Sequence, residues 1–523
     1  MHSYPVPEGI LAIVSDITER KKAEDELVLL SNAVKMSIDS ILIMDLDTNI
    51  LDVNEATLKM YGAGDKNELI GKFEVYKRDK KAGKNVGWKP KLKFTKSPFP
   101  QQVDYCMAFV ESGIDYLKKN GKLGFVISSK ITCALYANLL RRFLIEKTSI
   151  IEIVDHSICG KQFFEGATNS PLVLILSKSA PNPNQTKVTF NAFKSMTWKI
   201  QQNKLQLITK DPESPWQFAP PEVTAIFEKA KKKSVRLGDV FSVHMGVKTS
   251  LNNVYLVKSF VTTASKGMLT ITNSQGDKAN IEEELLKPVV RGRDIEAWHF
   301  ENPGYILWTH DNWGKPLSVL PNQATQYFAK YKKKLLTRTD YKKKQPIWII
   351  FRVSKDKLGP KVGWQELSKM MEAVVIEREV TDSKFGKQLL IPLQTVYFVS
   401  TGSINLDYGL AAVLNSSLIR AFISSFSIRE MGQPPRFRHV SYTVGLVPIP
   451  SQFIKQEKDS SILEIIEMSR AMHANKGQNR KLAKDLDRKI AKLYGLSSKE
   501  LSNLNQYLYN LGVPTIHDVS LEN

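Results

Sequence analysis

Between Val103 and Lys178 the chain switches repeatedly between two periodicities, and that alternation limits the folds open to it more than any other feature. Val103, Met107, Val110, Ile114 and Leu117 recur at helical spacing and would line one face of a helix. KNGKLGFVISS then reads as an apolar strand. A second helix carries Leu135, Leu139 and Phe143, and further strands are read at IIEIVD from Ile150 and PLVLILSK from Pro171. Helices alternating with strand-sized apolar runs indicate a doubly wound α/β sheet, because strands buried on both faces must be covered by helices.

At 523 residues the chain has room for two to four domains with cores of their own. Its 74 Lys+Arg against 53 Asp+Glu leave a net charge of +21, which favours a polyanionic partner. No apolar run approaches the roughly 20 residues a membrane helix requires, and no secretory signal opens the chain, so a cytoplasmic protein without a membrane partner is expected. Double-stranded DNA is then the first candidate partner. Cys106, Cys133 and Cys159 read as free thiols, and His156 with Cys159 lacks the second pair that a metal site needs, so no metal ligand is assigned.

The positive charge is clustered. Nine Lys/Arg lie between Tyr76 and Pro100 against one acid, among glycines and prolines, as in a basic linker. Ala329 to Lys344 holds eight Lys/Arg, including Lys332, Lys333 and Lys334, with Tyr327, Phe328, Tyr331 and Tyr341 interleaved. Such a helix can lie along a phosphate backbone, or its aromatics can face a core while its lysines face water. REMGQPPRFR, with Arg429, Arg436 and Arg438, reads as a loop able to reach a groove. Arg291 and Arg293 bracket Gly292, and strand alternation would put both guanidiniums on one side, presenting two planar forks to phosphate or a guanine edge. A solvated turn is the competing reading of RGRD.

KPVVRGRDIEAWHF resembles a signature near the start of the TaqI-type specificity domain of adenine-specific DNA methyltransferases and type IIG restriction-modification enzymes. LGDVFSVHMGVKTSLNNVYLV, which contains Lys248, is similar to that domain's opening. The lysine-rich helix, VVIERE, VYFVSTG, LAAVLNSSL and LVPIP follow in the family's order. Further upstream, DYCMAFVESGIDYLKKNGKLGFVISS, YANLLRRFL and QFFEGATNSPLVLILSK resemble the C-terminal half of the methyltransferase domain in the same enzymes. The resemblance implies that Phe164, or Phe163 one register away, stacks on the flipped adenine; packing under the sheet is the alternative. It also implies S-adenosylmethionine as the family's cofactor. The glycine-rich donor turn and the (N/D/S)-P-P-(Y/F) catalytic motif are not found in the sequence, so no catalytic or cofactor-binding residue is assigned and no cofactor is expected in this chain alone.

AIVSDITERKKAEDEL resembles the end of a PAS domain, and Leu30 to Lys72 the first half of another. The expected architecture is therefore α/β. A PAS-like α+β fragment occupies 1–72, a basic linker 73–102, and part of a doubly wound methyltransferase sheet 103–217. A mixed α+β target-recognition domain spans 218–450, and packing helices 451–523. The function this implies is DNA target recognition for a site-specific adenine-N6 methyltransferase, without methyl transfer of its own. The alternatives are an active methyltransferase, alone or completed by a separate chain supplying the donor half, and a PAS-type signalling protein with a DNA-binding output.

Overall fold

A computed structural model describes residues 105–157, 170–181, 186–208, 210–301, 304–430, 436–455 and 459–519, with N-terminal pieces at 2–6, 9–13, 34, 41–44, 50–61, 64–68 and 70. The expected linker, Cys159, Phe163 and Phe164 lie outside the described residues. At the N-terminus, His2–Val6 pairs with Gly9–Ile13, and Leu42–Met44 with Ile50–Val53. The helix Glu55–Tyr61 follows the second of these pairs.

The alternating segment folds as expected in outline. Helix α1 (Tyr105–Tyr116) leads into strand β1 (Lys122–Ser128), and helix α2 (Asn138–Lys147) into β2 (Ser149–Asp155). Strands β3 (Pro171–Ser177), β4 (Thr186–Phe190) and β5 (Met196–Ile200) complete a sheet in the order β1-β3-β2-β4-β5. The sheet departs from a doubly wound parallel pattern: β3 runs antiparallel between β1 and β2, β5 is antiparallel to β4, and β2 with β4 is the one parallel pair of neighbours. Leu123, Phe125, Ile127, Leu172, Leu174 and Ile153 form its buried face. There α1 packs so closely that a Cβ at Gly113 would sit 2.9 Å from the Phe125 ring.

Helix α3 (Pro221–Lys231) carries the chain into a region whose two largest sheets have six and four strands. Six strands make the first, comprising β6 (Leu256–Thr262), β7 (Met268–Asn273), β8 (Lys278–Glu282), β9 (Leu286–Val290), β10 (Gly304–Leu307) and the short Ile391–Pro392. Their order is β8-β7-β6-β10-β9, then Ile391–Pro392. Helices α4 (Asn322–Lys330) and α5 (Lys332–Leu336) cover it with Tyr327, Phe328, Tyr331 and Leu335. The second sheet joins β11 (Lys361–Gln365), β12 (Ala373–Ile376), β13 (Val396–Val399) and the short strand His244–Met245.

Two nearly wholly buried helices follow, α6 (Ile404–Leu414) and α7 (Ser417–Ser424), then α8 (Ser460–Ala474), α9 (Arg480–Leu493) and α10 (Ser498–Leu511). One hydrophobic core runs from α1 and the first sheet through α3, β11 to β13 and α6 to α10, and so passes through the expected boundary at 217/218. A second core fills the six-stranded sheet and its helices. No single helix among the described residues is long and apolar enough to cross a membrane.

Candidate nucleic-acid interface

The RGRD segment does not alternate as a strand would. After β9 the chain turns at Gly292–Asp294, and the Asp294 carboxylate accepts from the Arg291 backbone N–H at 2.9 Å, its Nε at 2.8 Å and its Nη2 at 2.9 Å. One edge of the Arg291 guanidinium, Nε with Nη2, is therefore committed inside the turn. Glycine is required between the arginines because a Cβ on Gly292 would stand 2.5 Å from the Thr395 carbonyl oxygen. Arg293, by contrast, is exposed and makes no hydrogen bond or ion pair among the described residues.

The other basic residues divide in the same manner. Lys248 pairs with Asp340 at 2.6 Å, and that bond holds the Asp340 carboxyl below the usual carboxylate range. Arg438 is clamped between Glu366 at 2.6 Å and Glu430 at 2.5 Å. Arg429, read from sequence as part of a groove-reaching loop, is instead buried against Asp155 at 2.7 Å. Loop composition gave no sign of that, because its partner lies on the far side of the sequence. Lys332, Lys333 and Lys334 are exposed on α5 with no ion pair among the described residues, while the aromatics around them are inside. Arg436 is likewise exposed.

Two further residues, Arg352 and Trp313, belong to no sequence motif. The backbones of Lys248 and Phe351 exchange hydrogen bonds of 3.0 and 2.8 Å, which places Arg352 beside the opening segment. Arg352 adopts φ 62, a left-handed conformation uncommon for a non-glycine residue, and its guanidinium lies against Met245 Sδ. Its charge also reaches Asp340, Lys357 and Tyr397. Gly314 packs against Val353 and Ser354, and this brings Trp313 under Lys355 and Arg378. By contrast Arg338, from the lysine-rich stretch, is buried and donates to the carbonyls of Thr249, Ile347 and Ile349. Only tertiary structure separates the free arginines from the structural ones.

S-adenosylmethionine, the cofactor expected for methyltransferases, requires a glycine-rich turn after a strand. Among the described residues β1 runs instead into the turn Ser129–Thr132, and β2 ends at Asp155, whose carboxylate is taken by Arg429. These residues do not fit the donor, and no chemical step is derived through it.

Residues 76–164 match the family model of the Eco57I restriction-modification methylase. The chain is homologous to DNA methyltransferases of restriction-modification systems. Type II methyltransferase M.BstVI of Geobacillus stearothermophilus is 21% identical over 440 residues, covering 78% of this chain and 70% of that protein. Type II methyltransferase M.NspV of Nostoc sp. is 31% identical over 172 residues, 32% of this chain and 34% of its own length. Among solved structures, the type IIL restriction-modification enzyme MmeI in complex with DNA aligns with a TM-score of 0.48 at 13% identity. That alignment covers 80% of this chain, which spans 53% of the MmeI chain.

Proposed function

We propose that this chain is the DNA-binding, target-recognition portion of a site-specific adenine-N6 DNA methyltransferase, and that it does not transfer a methyl group on its own. The observation that carries the reading is the sorting of its arginines. Arg291, Arg338, Arg429 and Arg438 are bonded inside the fold, whereas Arg293, Arg352 and Arg436 are exposed. Exposed cations on a protein with net charge +21 are available to phosphates and base edges. The resemblance to the TaqI-type specificity domain supports the same reading. Its two motif glycines have a physical role here, since Gly246, like Gly292, sits too close to a backbone carbonyl for any Cβ. Lys332, Lys333 and Lys334 are assigned to phosphate binding, and Phe164 or Phe163 to the flipped base.

A second reading, completion by a separate chain bearing the donor half, is favoured by the first sheet. The outer edge of β1 bonds to no strand among the described residues, and on the face opposite α1, Val126 is 57% exposed beside half-buried Val173 and Ile175. An unpaired edge next to an incompletely buried apolar face suits an added strand and covering helices. Titration with the donor analogue sinefungin, alongside duplex binding, tests both. Duplex binding without sinefungin binding is expected; sinefungin binding by the chain alone would contradict the assignment.

A further inference from the structure

We propose that Trp313 is a base-contacting residue, its indole inserting against the bases of duplex DNA while Lys315, Lys355 and Arg378 take the flanking phosphates. The inference rests on the DNA-binding reading above and adds to it an aromatic group that no sequence motif marks.

Between β10 and α4 the chain makes a turn at 311–315. Asp311 Oδ1 accepts from the backbone N–H groups of Trp313 and Lys315, each at 2.9 Å, and the Trp308 Nε1–H donates to the Asp311 carbonyl at 3.2 Å. Arg378 Nη2 donates to the Asn312 carbonyl at 2.8 Å. Gly314, at φ 88, packs against Val353 and Ser354. The tip is thus held from several sides, and Trp313 at its end is 58% exposed. Among the described residues Trp198, Trp216, Trp298, Trp308 and Trp364 are buried and Trp348 is half-buried, so the exposed Trp313 on a rigid turn is an exception among them.

Its surroundings indicate what would cover it. Lys355 Nζ lies 5.0 Å and the Arg378 guanidinium 5.1 Å from the indole centroid. Lys315 is exposed two residues on, and Val319, further along the same connection, is 77% exposed. The Asp311 carboxylate is occupied by the turn itself. An aromatic plane and an apolar neighbour inside a ring of cations complement a polyanion with stacked, weakly polar bases. Because the turn is ordered before binding, little conformational freedom is lost when DNA docks.

The test uses the full chain and its W313A and W313F variants, with anisotropy on a labelled duplex pool and intrinsic tryptophan emission on unlabelled duplex. W313A is expected to weaken binding about tenfold, the scale of one base–aromatic stack, with an unchanged salt slope. Duplex should quench part of the wild-type emission, and W313F should remove that part. Wild-type affinity in W313A together with undiminished quenching in W313F would overturn the assignment while leaving DNA binding intact. Failure of the wild-type chain to bind duplex at all would overturn both.

Discussion

The Asp155–Arg429 pair offers the sharpest test of how the first sheet is joined to the rest of the molecule. The two residues are 274 positions apart, and their side chains are 0% and 2% exposed. Arg429 Nη1 donates to Asp155 Oδ2 at 2.7 Å and to Ser157 Oγ at 3.2 Å, Nη2 donates to the Ser425 carbonyl at 3.0 Å, and the guanidinium lies 4.7 Å from the Phe190 centroid. At an effective dielectric of about 20, a pair at this separation attracts by about 6 kcal/mol, and most of that is offset by the cost of desolvating both charges. The net worth of the intact pair is therefore small, yet breaking it leaves one charge buried alone. Asp155→Leu or Arg429→Met should each cost about 3–5 kcal/mol, read as a shift in urea midpoint at constant m-value. The double variant should recover most of that loss, since apolar groups of similar volume need no partner. Single-variant losses below about 1 kcal/mol, or a double variant losing the sum of both, would refute the reasoning.

Other outcomes follow from the same geometry. Arg291→Ala should destabilise the fold by removing the partner of Asp294, seen as a lowered melting temperature, whereas Arg293→Ala should leave melting unchanged and cost roughly 1–3 kcal/mol of duplex affinity where it reads a base. Neutralising Lys332, Lys333 and Lys334 should weaken binding to every duplex alike and lower the salt slope by about 0.9 for each phosphate no longer paired with a lysine, checked by titrations across salt concentrations. Burial pushes His310, His439 and His473 down to about 4, below the ordinary value of 6.5. The unfolded chain therefore takes up protons first, so their contribution to stability is complete above about pH 6.5 and is lost as pH falls toward 4. The loss is up to about 3 kcal/mol for each buried ring, and urea unfolding across that range measures it.

Helix α1 was legible because its apolar spacing admits one reading, and Met107, Val110 and Ile114 are all buried. Helix α2 was legible as a helix but not in its register. The stripe Leu135, Leu139, Phe143 stays partly exposed, and the core takes Leu140, Leu144 and Arg141 instead. The sequence offers two overlapping stripes there, and the inner one contains an arginine. That charge is tolerated because Arg141 donates to the carbonyls of Ile131, Ala134, Glu213 and Ser214, none of which adjacency in sequence reveals. Strand direction was also hidden: apolar runs report burial, not polarity, so the antiparallel insertion of β3 could not be read from them. In the RGRD segment the sequence leaves open which arginine is bonded within the fold and which is exposed. That depends on Asp294 folding back one turn rather than continuing a strand. Arg352 and Trp313 belong to no motif and become candidates only when the 244–248, 311–315 and 351–355 segments are brought together.

The most direct measurement is retention of a random duplex pool by the full chain at two salt concentrations, compared with the Arg293→Ala, Arg352→Ala double variant. Target recognition predicts that the wild-type chain enriches particular duplexes, increasingly so as salt suppresses nonspecific binding, and that the double variant keeps nonspecific binding while losing the enrichment. Equal retention of all duplexes by the wild-type chain at both salt concentrations, unchanged in the double variant, would contradict the central claim.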